Sequence, residues 1–263
     1  MGILNLTRDS FSDGGLWNDP LQATERALRM LAEGAELLDL GAESTRPGGG
    51  VYGAGAAEVP AGEEIARLLP VLEAVRRATD APISVDTRKG EVAERALRAG
   101  ADLINDVSAL ADPRLAFAVA EAGCPVVLMH SRGEISSMQR GIHFEDVVRE
   151  VRSELSDALA RARSTGVDES QVVLDPGIGF GKTREQNLAL IARLDELSVL
   201  GRPLLLGASR KSFIAKGEPS QRLGGSLAAV AWAALSPVPA AIVRVHDIAE
   251  TVQLLDVLEA LAS

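Results

Sequence analysis

Short apolar runs alternate with longer stretches whose apolar positions recur every three or four residues, from one end of the chain to the other. The short runs read as strands: "GILNL" (2–6), "ELLDL" (36–40), "PISVD" (82–86), "DLIND" (102–106), "PVVLM" (125–129), "VVLD" (172–175), "PLLLG" (203–207) and "AIVRV" (241–245). Helical patterns lie between them over 20–33, 62–78, 90–98, 114–121, 184–197, 224–235 and 248–261. The clearest is carried by Phe144, Val147, Val148, Val151, Leu155 and Leu159. Strand alternating with helix implies βαβ units and a parallel sheet. Eight such units predict an α/β fold, a (β/α)₈ TIM barrel. A doubly wound open sheet is the alternative, and the even repetition weighs against it. No linker or composition shift divides the chain, so residues 1–263 read as one domain. Two long connections break the rhythm, "TRDSFSDGGLWND" after the first strand and "GAESTRPGGGVYGAGAAEVPAGEE" after the second. Loops of that length in a compact domain are functional or mobile, and both are expected here.

Composition narrows the class. The 263 residues supply a generous apolar core, with aromatics at only 3%. No apolar run approaches the roughly 20 residues that span a bilayer, and the start lacks a secretion signal's basic region and cleavage site. Cys124 is the only cysteine and sits beside "PVVLM", so it reads as a buried small hydrophobe. A cytoplasmic enzyme without a membrane partner is expected. The net charge of −10 argues against a nucleic-acid partner, but local basic residues can still bind an anionic small molecule.

Chemistry is expected at the C-terminal ends of barrel strands, and nearly every candidate strand ends in polar groups. They are Asn5; Glu43, Ser44 and Thr45 just beyond the second strand; Asp86; Asn105 and Asp106; His130; Asp175; Ser209 and Lys211; and Arg244 and His246. Helix capping accounts for single Asp and Asn residues, but not readily for so many of both charges. Asp86, Asn105 and Asp175 offer acceptors to a flat, amine-rich heterocycle. Lys211, Arg244 and His246 offer donors and positive charge to phosphate or pyrophosphate. Asn5 suits a hard cation such as Mg²⁺, which prefers oxygen ligands and often binds with substrate phosphates. The structural alternatives are ion pairs for Lys211 and Arg244 with neighbouring carboxylates, and a satisfied structural histidine for His246.

The stretch "DPGIGFGKT" (175–183) resembles a phosphate-binding loop, yet the strict spacing puts Pro176 where the first glycine belongs. Its glycines are instead expected to turn the backbone tightly beneath a flat ring, with Lys182 facing solvent or a neighbouring carboxylate.

"MGILNLTRDSFSDGG", "GAESTRPG", "SVDT", "AGADLINDVS", "PVVLMH", "DPGIGFGK", "GASRKSFI" and "IVRVHD" together resemble the dihydropteroate synthase family, in its motif order and over essentially the whole chain. The resemblance implies condensation of 6-hydroxymethyl-7,8-dihydropterin pyrophosphate with p-aminobenzoate in folate biosynthesis, by an ionisation-first substitution. It implies a pterin pocket of Asp86, Asn105, Met129, Asp175, Phe180 and Lys211. It places pyrophosphate at Asn5, Arg46, Arg244 and His246 with Mg²⁺ alongside, and p-aminobenzoate among Thr45, Pro47, Phe180, Ser209 and Arg210. Asp86, Lys211, Arg244 and His246 would carry the catalysis. A homodimer and a sulfonamide target are implied as well. A corrinoid-type pterin methyltransferase would not need "STRPG" or "SRKS", and a non-catalytic pterin-binding homologue should have lost the Arg-x-His pair; all are present. Arg8 stands where the family usually has proline, Ser131 where methionine is commoner, and the glycine-rich segment after Gly48 is longer than usual. Members usually carry residues before "MGILN", so a segment packing against the barrel floor is expected to be missing here.

Overall fold

The computed structural model describes residues 1–6, 19–43, 59–132, 143–238 and 240–262. Its strands are β1 (Gly2–Asn5), β2 (Leu38–Gly41), β3 (Ile83–Asp86), β4 (Leu103–Asp106), β5 (Val126–Met129), β6 (Val172–Asp175), β7 (Leu205–Leu206) and β8 (Ile242–Val243). The helices are α1 (Pro20–Ala32), α2 (Ala61–Ala78), α3 (Gly90–Arg98), α4 (Pro113–Ala122), α5 (Val147–Ser164), α6 (Arg184–Ala192), α7 (Leu223–Ala234) and α8 (Ile248–Ala262). The two long connections expected to be mobile lie largely outside the described residues, as do Arg8, Thr45, Arg46 and Pro47.

All strand pairs are parallel. β1 to β6 form one sheet in chain order and β7 pairs with β8. Parallel bridges Leu174↔Leu204 and Gly2↔Val245 join the two pieces on both sides. The sheet therefore closes into the (β/α)₈ barrel, and among the described residues no open edge remains to favour the doubly wound alternative.

Paired residues in parallel strands point to the same face, so the register sorts inside from outside. Ile3, Asp39, Ser84 and Leu103 form one row, and Asn5, Gly41, Asp86 and Asn105 form the next. Leu103, Val127 and Leu205, with Met1, Val173 and Ile242 against them, fill the barrel floor. The residues between these, including Leu38, Leu40, Ile83, Val85, Ile104, Val126, Leu128, Val172 and Leu174, point outward into the large core shared with the helices. Asn105 and Asp175 thus lie two residues beyond the inward apolar Leu103 and Val173 on their strands.

Helix starts follow local capping chemistry. Asp19, Asp112 and Asp146 each accept an N–H in the first turn of α1, α4 and α5, and Thr183 and Gln186 form a capping box on α6. The helix expected over 184–197 breaks at Arg193, whose guanidinium reaches Asp146 and Glu196, and a 3₁₀ turn over Leu194–Leu200 follows. Apolar spacing alone does not separate an α-helix from a short α-helix with a 3₁₀ extension.

Candidate active site

The carboxylates and amide at the strand ends converge. Asp86 and Asn105 are register partners on β3 and β4, and Asp175 ends β6; all three are buried. Beside them Val107, Met129 and Phe180 form a small separate apolar cluster. The expected pterin residues are therefore brought to one place. Val107 was missed, since it lies just past the end of β4 in "NDVS", where no periodicity marks it. Gly207 leaves space at the centre: a Cβ there would lie 3.8 Å from both Asp175 Oδ2 and Lys211 Nζ.

Charge is balanced across the mouth. Arg244 Nε donates to Asp39 Oδ2 at 2.6 Å and its Nη2 to Asp86 Oδ2 at 2.8 Å. The ion-pair alternative for Arg244 thus holds, and one partner, the fully buried Asp39, was not foreseen. Its only signal is a charge inside the apolar run "ELLDL". Burial pushes the Asp86 carboxyl well above the ordinary range; Arg244 opposes this, while Asp39 and Glu64 reinforce it. Asp175 is likewise raised by burial, opposed by Lys211, by the Gly177 N–H and by Lys182. Lys211 donates to Ile178 O and holds its Nζ 4.4 Å from the centre of the Phe180 ring.

Ser209, Arg210 and Lys211 follow β7 in one turn, with Arg210 at a left-handed φ of 57°. Ser209 Oγ accepts from the His246 N–H at 3.2 Å and lies 3.0 Å from His246 Nδ1, so serine hydroxyl and imidazole orient each other. Arg210 Nε donates to Asp247 Oδ2 at 3.0 Å, and its backbone N–H to Ser226 Oγ on α7 at 2.9 Å. Asn5 is half-buried in the row that leads to Asp86.

Three strand-end groups do structural work instead. Asp106 accepts from the Ser108 N–H and hydroxyl and the Leu110 N–H, steadying a turn in which Ala109 and Leu110 adopt positive φ. Glu43 accepts from Lys89 Nζ at 2.7 Å and from the Val59 N–H at 3.3 Å. Lys89 also donates to the fully buried Glu64, which takes the Thr87 hydroxyl on its other oxygen. His130, buried after β5, pairs with Glu154 of α5 at 3.0 Å.

The expectation for Lys182 is overturned. It is buried, at 6% exposure, and its Nζ contacts His130 Nδ1 at 2.9 Å and accepting carbonyls of Gly177 and Phe180 at 3.0 Å each. A lysine after a glycine run reads as exposed on sequence because its buried acceptors come from the fold of the turn itself. The phosphate-loop alternative also loses its physical basis. The Gly177 N–H goes to Asp175 Oδ1, that of Gly179 to Asn187 Oδ1 and that of Phe180 to Gly177 O, so those amides are committed within the protein rather than offered to an anion.

Residues 1–246 match the family model described as pterin binding enzyme. The chain is 44% identical to the dihydropteroate synthase of Escherichia coli K12, over 100% of this chain and 91% of that protein. The crystal structure of Yersinia pestis dihydropteroate synthase with a sulfonamide drug complex superposes with a TM-score of 0.92 at 42% identity, covering 100% of this chain and 93% of that one. The Xanthomonas albilineans dihydropteroate synthase in complex with 7,8-dihydropteroate gives a TM-score of 0.86 at 42% identity, with the same coverage of 100% and 93%.

Proposed function

The chain belongs to the pterin binding enzyme family, as a relative of its dihydropteroate synthases over the whole of the sequence, and from that premise we propose how its residues perform the reaction. The enzyme joins p-aminobenzoate to 6-hydroxymethyl-7,8-dihydropterin pyrophosphate, forming 7,8-dihydropteroate and releasing pyrophosphate in folate biosynthesis. The observation that carries the residue roles is the convergence of Asp86, Asn105 and Asp175 beside the Val107, Met129 and Phe180 cluster.

Asp175 accepts from the 2-amino group and N3 of the pterin, Asn105 bonds the neighbouring edge, and Lys211 meets the carbonyl side and N5. The apolar cluster packs against the ring, which replaces water at the buried carboxylates with ring donors. The C–O bond at the exocyclic methylene breaks with its electron pair leaving on pyrophosphate, and the cation spreads over the dihydropterin. Asp86, fixed near N8, favours that positive charge. Arg244, His246, Asn5 and Arg46 bind the pyrophosphate, so Arg244 exchanges part of its bonding to Asp86 for the leaving group. The p-aminobenzoate nitrogen, framed by Thr45, Pro47, Phe180, Ser209 and Arg210, then attacks the methylene carbon and loses a proton. Thr45, Arg46 and Pro47 are outside the described residues and enter by the resemblance alone.

Among the described residues no three His, Cys, Asp or Glu side chains gather to cage a metal. Mg²⁺ carried by substrate phosphates needs only one or two protein oxygens, and the Asn5 amide at the rim fits that smaller demand. When bound, Mg²⁺ offsets the charge of the departing pyrophosphate. A homodimer is proposed as well, supported by exposed Trp232 on α7, Leu235 at its C-terminal cap, and Val257 and Leu261 on the adjoining α8. No helix among the described residues is long and apolar enough to cross a membrane, and a cytoplasmic location is the reading we adopt.

Coupled detection of pyrophosphate tests the function: release should require p-aminobenzoate, the pterin pyrophosphate and Mg²⁺ together. Folded protein that releases none under these conditions sinks it.

A further inference from the structure

We propose that Lys182 is a positioning residue for the pterin site, the fixed half of a two-lysine clamp that holds the turn carrying Phe180 against Asp175. The proposal rests on the synthase reading above. The turn from Pro176 to Gly181 is bound almost entirely through its backbone. Lys182 takes the carbonyls of Gly177 and Phe180, and Lys211 takes that of Ile178 from the other side. Gly177, Gly179 and Gly181 have φ of 67°, 83° and 61°, a path that side chains resist. A turn bent this way keeps its shape only while its carbonyls stay partnered.

The two lysines differ in what else they do. Lys211 lies over the Phe180 ring and has a role at the pterin. All three ammonium protons of Lys182 are matched by three acceptors, His130 Nδ1, Gly177 O and Phe180 O. His130 is held in turn: Nε2 lies 3.0 Å from Glu154 Oε2, while Arg132 Nε donates to Glu154 Oε1 at 2.8 Å. With Lys182 donating at Nδ1 and Glu154 accepting at the opposite nitrogen, the imidazole proton sits on Nε2. Lys182 therefore keeps the turn in place when the ring engages Lys211.

The ammonium also acts on Asp175 through its charge. The groups facing it are His130 and Arg132 from the end of β5, Glu154 of α5, Asp175 of β6 and Lys211 after β7. Burial pushes Lys182 down to about 7, against the pull of Asp175 and Glu154. Loss of its proton weakens both the clamp and the support for an ionised Asp175, which gives pterin affinity an alkaline limb.

The test is calorimetric affinity for the pterin pyrophosphate alone, measured across pH, after product formation by the wild type has been established. Absence of wild-type product would defeat the synthase reading and not this one. Lys182→Met should bind roughly tenfold or more weakly, with its acid limb moved to higher pH because Asp175 has lost a nearby cation, and with no alkaline limb. Lys182→Arg should restore the acid limb, since the guanidinium stays charged. Glu154→Gln, a milder change on α5, should move the alkaline limb to lower pH. Wild-type affinity in folded Lys182→Met, or weaker binding with both limbs unmoved, overturns the proposal. If Lys182→Met does not fold, an unmoved alkaline limb in Glu154→Gln overturns it.

Discussion

Arg244 and Asp86, 158 residues apart in sequence, share a 2.8 Å ion pair at the barrel mouth, and the same guanidinium holds Asp39 at 2.6 Å. In the proposed reaction these two residues serve opposite ends of one substrate: Asp86 the pterin that becomes positive, Arg244 the pyrophosphate that leaves negative. Their contact compensates both charges, and in the proposed reaction substrate separates them.

Removing the cation leaves two buried carboxylates facing each other. Arg244→Ala should lower stability by about 3 kcal/mol, and Asp39→Asn combined with it should recover part of the loss. Urea unfolding of Arg244→Ala, Asp39→Asn and the double variant measures this; simple additivity would count against a shared charge network.

The proposed cation stabilisation needs Asp86 ionised, and burial raises its pKa. Activity should therefore rise with pH along an acid limb lying above the ordinary carboxylate range. The charge of Asp39 helps to raise Asp86, so Asp39→Asn should move that limb to lower pH. A kcat–pH profile displaced upward, or not at all, would show that Asp86 does not set the limb.

Gly177 and Gly201 share a φ of 67°, but their surroundings differ. A Cβ at Gly201 meets nothing within 4 Å, whereas one at Gly177 would lie 1.8 Å from the His130 carbonyl oxygen. Gly201→Ala should cost only the backbone penalty of about 1 kcal/mol. Gly177→Ala should cost clearly more and weaken pterin binding, because the Asp175–Gly177 hydrogen bond must shift. Equal thermal shifts for the two would remove the close approach of β5 from the explanation.

Burial lowers His130 to about 4, opposed by Glu154 and reinforced by Lys182. Its folded pKa lies below the unfolded value of about 6.5. The stability it contributes is therefore complete above that value and is lost as pH falls through about 4. Proton NMR should show the His130 ring titrating near pH 4 on acidification; titration near neutrality would contradict the buried Nε2–H tautomer.

Arg210 is drawn to Asp247 by its guanidinium and to Ser226 by its backbone. Arg210→Ala should raise the KM for p-aminobenzoate more than it changes pterin affinity. Comparable losses for both substrates would assign it to holding the turn after β7 instead.

Much of this molecule is legible from periodicity and residue type. Alternating strand and helix patterns specify the barrel because each βαβ unit buries its own faces locally, and the C-terminal strand ends of such a fold carry its chemistry. Asp86, Asn105 and Asp175 are expected at one pocket from their strand-end positions, and Met129 and Phe180 from the motif resemblance; in the barrel all five are buried, with Asp86 beside Asn105 and Met129 beside Asp175 in register. What the sequence could not determine is which groups satisfy one another. Parallel strands are buried on both faces, so "ELLDL" shows no alternation to reveal that Asp39 points inward. Only closure between β8 and β1 brings Arg244 to it across 205 residues. Likewise, Lys182 becomes a buried cation because the glycine turn folds its own carbonyls and the end of β5 around the ammonium. A buried ion must find partners wherever the closed barrel supplies them, and that choice belongs to the tertiary structure.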